Sequence, residues 1–294
     1  MFETAPGKGG PNHASDEVLV REAAFKAGRI HFGPLSLSRR RVVAALRVAV
    51  ALALLGLWEF ASGRWMDAFW LSSPSQVLER FGVWLADGSL LTNTAVTLLV
   101  IVAGISIGLL PGIVWGMALG SSRFLNRLLS PFIVFLYCIP LIALAPLLIL
   151  WFGIGLTPKI VIVAAITLFL VFFNVYAGVS SQERDLGDHL RLMGGSNRDV
   201  ALKVVLPGAL PWLAAGLRIA VPYAVVGAVV GEMIVSTEGL GYVVKKSAST
   251  LDSTGVFTAI AALTALSVGL DECVSYAERR LLKWTPHVGR GESG

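Results

Sequence analysis

A chain of 294 residues that is 55% hydrophobic and 15% charged, with a mean hydropathy of +0.73, is too apolar for a water-soluble domain and falls among membrane proteins. Its net charge of +5 does not argue for nucleic acid, because basic residues flank membrane spans on the cytoplasmic side. Two cysteines, Cys138 and Cys273, build neither a disulfide framework nor a metal cluster, and four scattered histidines leave little for acid–base catalysis.

Residues 1–40 are polar, rich in Gly and Pro, and lack the apolar core of a secretory signal. They are expected to form a cytoplasmic tail with a short helix near Asp16–Ala27. Arg39, Arg40 and Arg41 abut the first apolar run, Val42 to Ala61, in which Arg47 can snorkel back to the headgroups. Ser73-Pro74-Ser75 then opens a short amphipathic helix. The second span, Leu91 to Leu119, carries Gly104, Gly108, Gly112 and Gly116, with Gly120 just beyond. Glycine at every fourth position bares one helix ridge, either for close packing or along a translocation path. A third span, Leu128 to Phe152, contains Pro140 and Pro146. Both free carbonyls, and they mark either packing kinks or a break that lines a path.

Span four, Lys159 to Val179, leads into a basic island from Arg184 to Pro211. The island reads as two short helices joined at Gly194-Gly195. Ser196 caps the second, with Asp199 at the capping-box spacing, and Pro207 and Pro211 end it. Span five runs from Trp212 to Val235, with Arg218 near one end and Glu232 near the other. A turn and short helix over 236–253 precede span six, Val256 to Tyr276. Glu232 is expected to hold the Ser236–Gly241 turn more than to bind solute, and Asp271 to bond a neighbouring helix or Arg218.

The basic residues set the orientation. Seven lie through Arg41, two at Arg123 and Arg127, four from Arg184 to Lys203 and four from Arg279 onward, against five in the intervening outer segments. Both termini and the 184–206 loop are therefore expected on the cytoplasmic side. The fold expected is an all-α integral membrane protein of six spans: a tail over 1–40, a transmembrane domain over 41–284 and a C-terminal tail over 285–294.

In the island, Gly194 is followed by Val204 and then by Leu206-Pro207. That spacing resembles the cytoplasmic loop shared by permease subunits of ABC importers, whose short helices dock into a cleft of the ATPase. The family's Glu-Ala-Ala opening corresponds here to Asp188, His189 and Leu190, so only the acidic character is kept. The likeness extends from Leu71 to the C-terminus. SPFIVFLYCIPLIALAPLLILWFGIG (Ser130–Gly155), VVGEMIVSTEGLGYVV (Val229–Val244) and the ERRLLKW ending are similar to permeases of nitrate/sulfonate/taurine-type importers.

The resemblance implies a type I importer permease in the bacterial inner membrane. Its partners would be a second permease copy, two ABC ATPase subunits, an extracytoplasmic solute-binding protein and membrane lipid, with no nucleic acid. The implied coupling residues are Asp188, Gly194, Gly195, Ser196, Val204, Leu206 and Pro207. Candidates for path or packing are Gly108, Gly112, Gly116, Pro140, Pro146 and Glu232. The sequence has no Gly-x-x-x-x-Gly-Lys-[Ser/Thr] run. The chain is thus expected to bind no cofactor and to catalyse nothing, with ATP on the partner ATPase. The solute expected is a small oxyanion such as an alkanesulfonate, taurine or nitrate, with bicarbonate or a heterocyclic vitamin precursor as the alternative. An ion-coupled carrier would show paired repeats and several midplane charges or broken spans, and no matching halves are visible. A scaffold without transport would have no use for a kinked third span or a glycine ridge.

Overall fold

The computed structural model describes residues 39–281 apart from 66, 68 and 182–188. The expected helix at Asp16–Ala27, both tails, Arg184 and Asp188 lie outside the described residues. Two compact units part at Gly56. In the first, helix α1 (Arg39–Ala61) begins; its side chains from Val42 to Gly56 are all exposed, as suits a lipid-facing span.

In the second unit, α2 (Pro74–Ala86) starts where the sequence places it. Ser73 Oγ accepts from Gln76 N at 3.3 Å, and Pro74 occupies a first-turn position where its missing N–H costs nothing. Val77, Phe81 and Trp84, spaced four and three apart, turn one face inward. Helix α3 (Ser89–Ser121) is followed by α4 (Arg123–Cys138), a 3₁₀ turn (Leu141–Leu144) and α5 (Ala145–Phe152). Helix α6 (Leu156–Ser181) comes next, and residues 189–192 are helical. Then α7 (Asn197–Val200) passes through a π segment (Ala201–Val205) directly into α8 (Leu206–Val235). The chain closes with α9 (Leu240–Ser249) and α10 (Ser253–Leu281).

Five helices are long and apolar enough to cross a membrane, and six crossings result if the bent pair α4–α5 counts as one. The third span is not one kinked helix: its halves are bent 70° apart at Ile139-Pro140. Pro140 makes the break, with an extended ψ of 92°, whereas Pro146 sits in the first turn of α5, where proline is tolerated.

The helix after Ser196 also differs from expectation. Pro207 and Pro211 do not end it, and it runs to Val235. Pro207 lies in the first turn of α8, and Pro211 is accommodated inside it. The turn just before Pro207 widens to π geometry, which relaxes the clash between a proline ring and the carbonyl four residues back.

The core forms where α3, α6, α8, α9 and α10 meet, around Val100, Ile101, Val163, Ala224, Ala228 and Leu240. Arg218 pairs with Glu278 at 2.6 Å and donates to Ser275 Oγ at 2.9 Å. Asp271 is therefore not its partner, because Glu278 lies two helical turns further on and takes the guanidinium.

Candidate functional site

The loop between α6 and α8 is built by backbone chemistry that its sequence specifies. Gly194 adopts φ +87°, a left-handed conformation that glycine enters without a Cβ penalty. Gly195 N donates to Leu190 O and Gly194 N to Arg191 O, both at 2.9 Å. These paired bonds close the 189–192 helix as a Schellman motif. Ser196 then opens the next helix with a reciprocal cap: its Oγ accepts from Asp199 N at 3.2 Å, and its own N donates to Asp199 Oδ2 at 3.0 Å. Lys203 pairs with Asp199 at 2.7 Å, one turn on.

The resulting knob carries two residues that sequence reasoning passed over. Leu192 and Met193 are 86% and 84% exposed, the two highest values among the large apolar side chains described. They stand in a polar loop rather than on a span. The signal available was a Leu-Met pair directly before Gly-Gly in a charged segment. Val204 lies in the π segment half-buried, Leu206 is 38% exposed, and Pro207 is half-buried.

A second group of predicted residues lies along α3. Gly108, Gly112 and Gly116 are buried against α6. A Cβ at Gly112 would fall 2.9 Å from Leu168 O, and one at Gly116 would fall 2.8 Å from Val175 Cβ. The ridge therefore packs backbone to backbone. A matching ridge on α8 went unread: Gly216, Ala220, Ala224 and Ala228 also recur every fourth residue. The three alanines are fully buried, and Gly216 faces Asn174 of α6. Helix α6 is held between two rows of small residues.

At the other end of α8, Glu232 is fully buried. Its Oε2 accepts from Gly241 N at 2.8 Å and from Thr97 Oγ1 at 3.0 Å. Leu240 N donates to Thr97 Oγ1 at 2.9 Å, and Gly239 N donates to Asn93 Oδ1 at 2.8 Å. Lys159, 4% exposed, donates to Ser236 Oγ at 3.0 Å. One carboxylate thus ties α3, α8 and the turn into α9. The glycines of Glu-Gly-Leu-Gly follow from that contact: a Cβ at Gly239 would strike the Glu232 carboxylate, and one at Gly241 would lie 2.5 Å from Val229 O.

The break at Pro140 opens a cavity of about 350 Å³ toward α6 and α8, lined by Tyr137, Pro140, Phe169 and Tyr223 among aliphatic side chains. The geometry combines an exposed apolar knob, a tightly packed helix trio and a broken span beside a cavity.

Residues 104–283 match the family of binding-protein-dependent transport system inner membrane components. The chain belongs to this family. It is 32% identical to the formylaminopyrimidine transport permease protein ThiX of Halalkalibacterium halodurans, over 79% of this chain and 93% of that protein. It is 34% identical to the putative aliphatic sulfonates transport permease protein SsuC of Escherichia coli, over 82% and 93%. A solved amino acid ABC transporter shares the fold, with a TM-score of 0.55 over 68% of this chain and 97% of its own, at 16% identity. The knob, both ridges and Glu232 itself fall inside the family's matched region, while Asn93 and Thr97 of the Glu232 knot precede it.

Proposed function

We propose that this permease works as a pair with a second copy, driven by two ABC ATPase subunits and supplied by an extracytoplasmic binding protein. It binds no cofactor, and ATP is hydrolysed on the partner. Both termini and the Gly194 knob face the cytoplasm of a bacterial inner membrane, as the distribution of Lys and Arg supports. The solute is a small organic molecule selected by the binding protein. The relatives' names mark two classes, an oxyanion (the aliphatic sulfonates) and an uncharged heterocycle (formylaminopyrimidine).

The observation that carries this reading is the exposure of Leu192 and Met193 on a rigidly capped loop. Burying such a side chain is worth about 1.5–3 kcal/mol. Leu192→Ser with Met193→Ser should therefore weaken attachment of the ATPase by about 3 kcal/mol or more, roughly a hundredfold. No span is touched, so membrane abundance should hold. Copurification of the ATPase with the double variant, scored against abundance, tests it; undiminished attachment would refute the docking role.

Gly194 separates contact from strain. Among the described residues no atom lies within 4 Å of its missing Cβ, so bulk there meets none of them. Asparagine tolerates the left-handed conformation better than alanine. If a partner must approach the bare backbone, Gly194→Asn fails as badly as Gly194→Ala. Recovery of attachment and transport by asparagine would reduce Gly194 to a turn residue.

A further inference from the structure

The cavity at the broken span has a lining that discriminates between solute classes. Among the described residues no acidic or basic side chain borders it, and the only polar side-chain groups are the phenols of Tyr137 and Tyr223. A desolvated anion entering it would find no counter-charge, which is the costliest way to bury a charge. The basic residues lie elsewhere: a separate cavity of about 270 Å³ is bordered by Arg80 and Lys246, and there Arg80 is already paired with Asp252 at 2.8 Å. Another, of about 360 Å³ between α8 and α10, has no aromatic lining. Trp84 and Tyr242 line the Arg80 cavity too, but beside charged side chains; of these three cavities, the one at the break combines an aromatic wall with an uncharged lining.

That wall is built to stay in place. The Tyr137 ring meets Phe173 at 4.8 Å and Phe169 at 6.0 Å between centroids, both edge to face. Tyr137 and Tyr223 still leave 52% and 56% of their surfaces open. Aromatic faces attract flat π systems in offset or edge-on geometry. Their hydroxyls, with main-chain carbonyls beyond the end of α4, supply hydrogen bonds for a ring's polar edge. A volume of about 350 Å³ is at the small end of ligand sites.

We infer that the cavity at Pro140 is a subsite on the solute path that takes a flat, uncharged aromatic heterocycle of one or two rings. The inference rests on the permease reading and chooses between its two solute classes. The test uses the full permease–ATPase assembly in nanodiscs, with thymine as the uncharged probe and methanesulfonate as the anionic one. Thymine should bind saturably, and Tyr223→Leu and Phe169→Leu should each weaken it about tenfold. Methanesulfonate should show no saturable binding until Val226→Lys places a cation in the wall. Tyr223→Phe, which keeps the ring, should retain most of the thymine binding and guards against a folding artefact. Methanesulfonate binding to the wild-type assembly as well as thymine does would overturn the inference. So would thymine binding that ignores the loss of Tyr223. An assembly that keeps its ATPase but ignores thymine refutes the subsite and leaves the permease reading standing; a wild-type chain that holds no ATPase sinks both.

Discussion

The same substitution, glycine to alanine, should have opposite effects at two places in this chain. At Gly108 a Cβ would point into the Ala164 carbonyl oxygen and stand 2.9 Å from Thr167 Cβ. Carbon atoms rest at about 3.5–4.0 Å, so α3 and α6 must separate by roughly 0.6 Å or more locally. The ridge spreads that displacement to Gly104 and Gly112, where the margin is just as small. Overpacking of this kind costs about 1–3 kcal/mol, against about 0.5–1 kcal/mol gained from alanine's better helix propensity. Gly108→Ala should therefore be destabilised, by up to about 2.5 kcal/mol. At Gly82 in α2 and Gly269 in α10 no atom lies within 4 Å of the missing Cβ, so alanine should stabilise each by up to about 1 kcal/mol. Thermal unfolding of the purified protein in detergent, followed by size-exclusion monodispersity, reads the sign directly. Equal behaviour of Gly108→Ala and Gly82→Ala would show that the ridge is compositional, and the packing argument would fail.

Glu232→Leu should cost about 1–3 kcal/mol, because it strands the buried N–H of Gly241, while the Thr97 hydroxyl can still donate to Asn93 O at 3.1 Å. Glu232→Gln keeps one acceptor oxygen and should lose less, and equal losses in denaturant stability would contradict the assigned bonds. With Cys138 and Cys273 replaced, an impermeant thiol reagent on intact cells should label Thr237→Cys and spare Ser196→Cys. Thr237 is exposed and lies outside the Lys159–Ser236 bond. Labelling of Ser196→Cys alone would invert the proposed topology.

Much of this architecture is legible in the residues because membrane spans and caps are local. Apolar length identifies the helices, Ser73 and Ser196 announce two helix starts, and the glycines of α3 announce a ridge. Proline was the weaker guide. Its effect depends on position within a turn, so Pro140 breaks a span while Pro146 and Pro207 begin helices. The outcome at Pro207 further depends on the π segment before it, which no short-range pattern specifies. Partners in three dimensions were hardest. Arg218 could reach either Asp271 or Glu278, and only the crossing of α8 and α10 decides for Glu278. The Gly-Ala ridge of α8 was present in the sequence, but alanine is common enough in apolar helices to hide a period of four.

The unbroken run from the Ser196 cap to Val235 has a mechanical meaning. At about 1.5 Å per residue, α8 alone is a strut of roughly 45 Å, and the π and α turns before it lengthen it further. The helix runs continuously from the knob to the carboxylate that clasps the far turn, with Pro211 and Pro222 inside it as points where it can bend. A thrust delivered beside Gly194 would reach Glu232 along this helix, with the five widened residues at 201–205 and the interior prolines Pro211 and Pro222 as its softer sections. Because α6 is pressed between α3 and this strut along small-residue rows, the strut cannot tilt without sliding on its neighbour. The fulcrum is then the close contact at Gly216 and Ala220, and the two ends would swing in opposite senses about it.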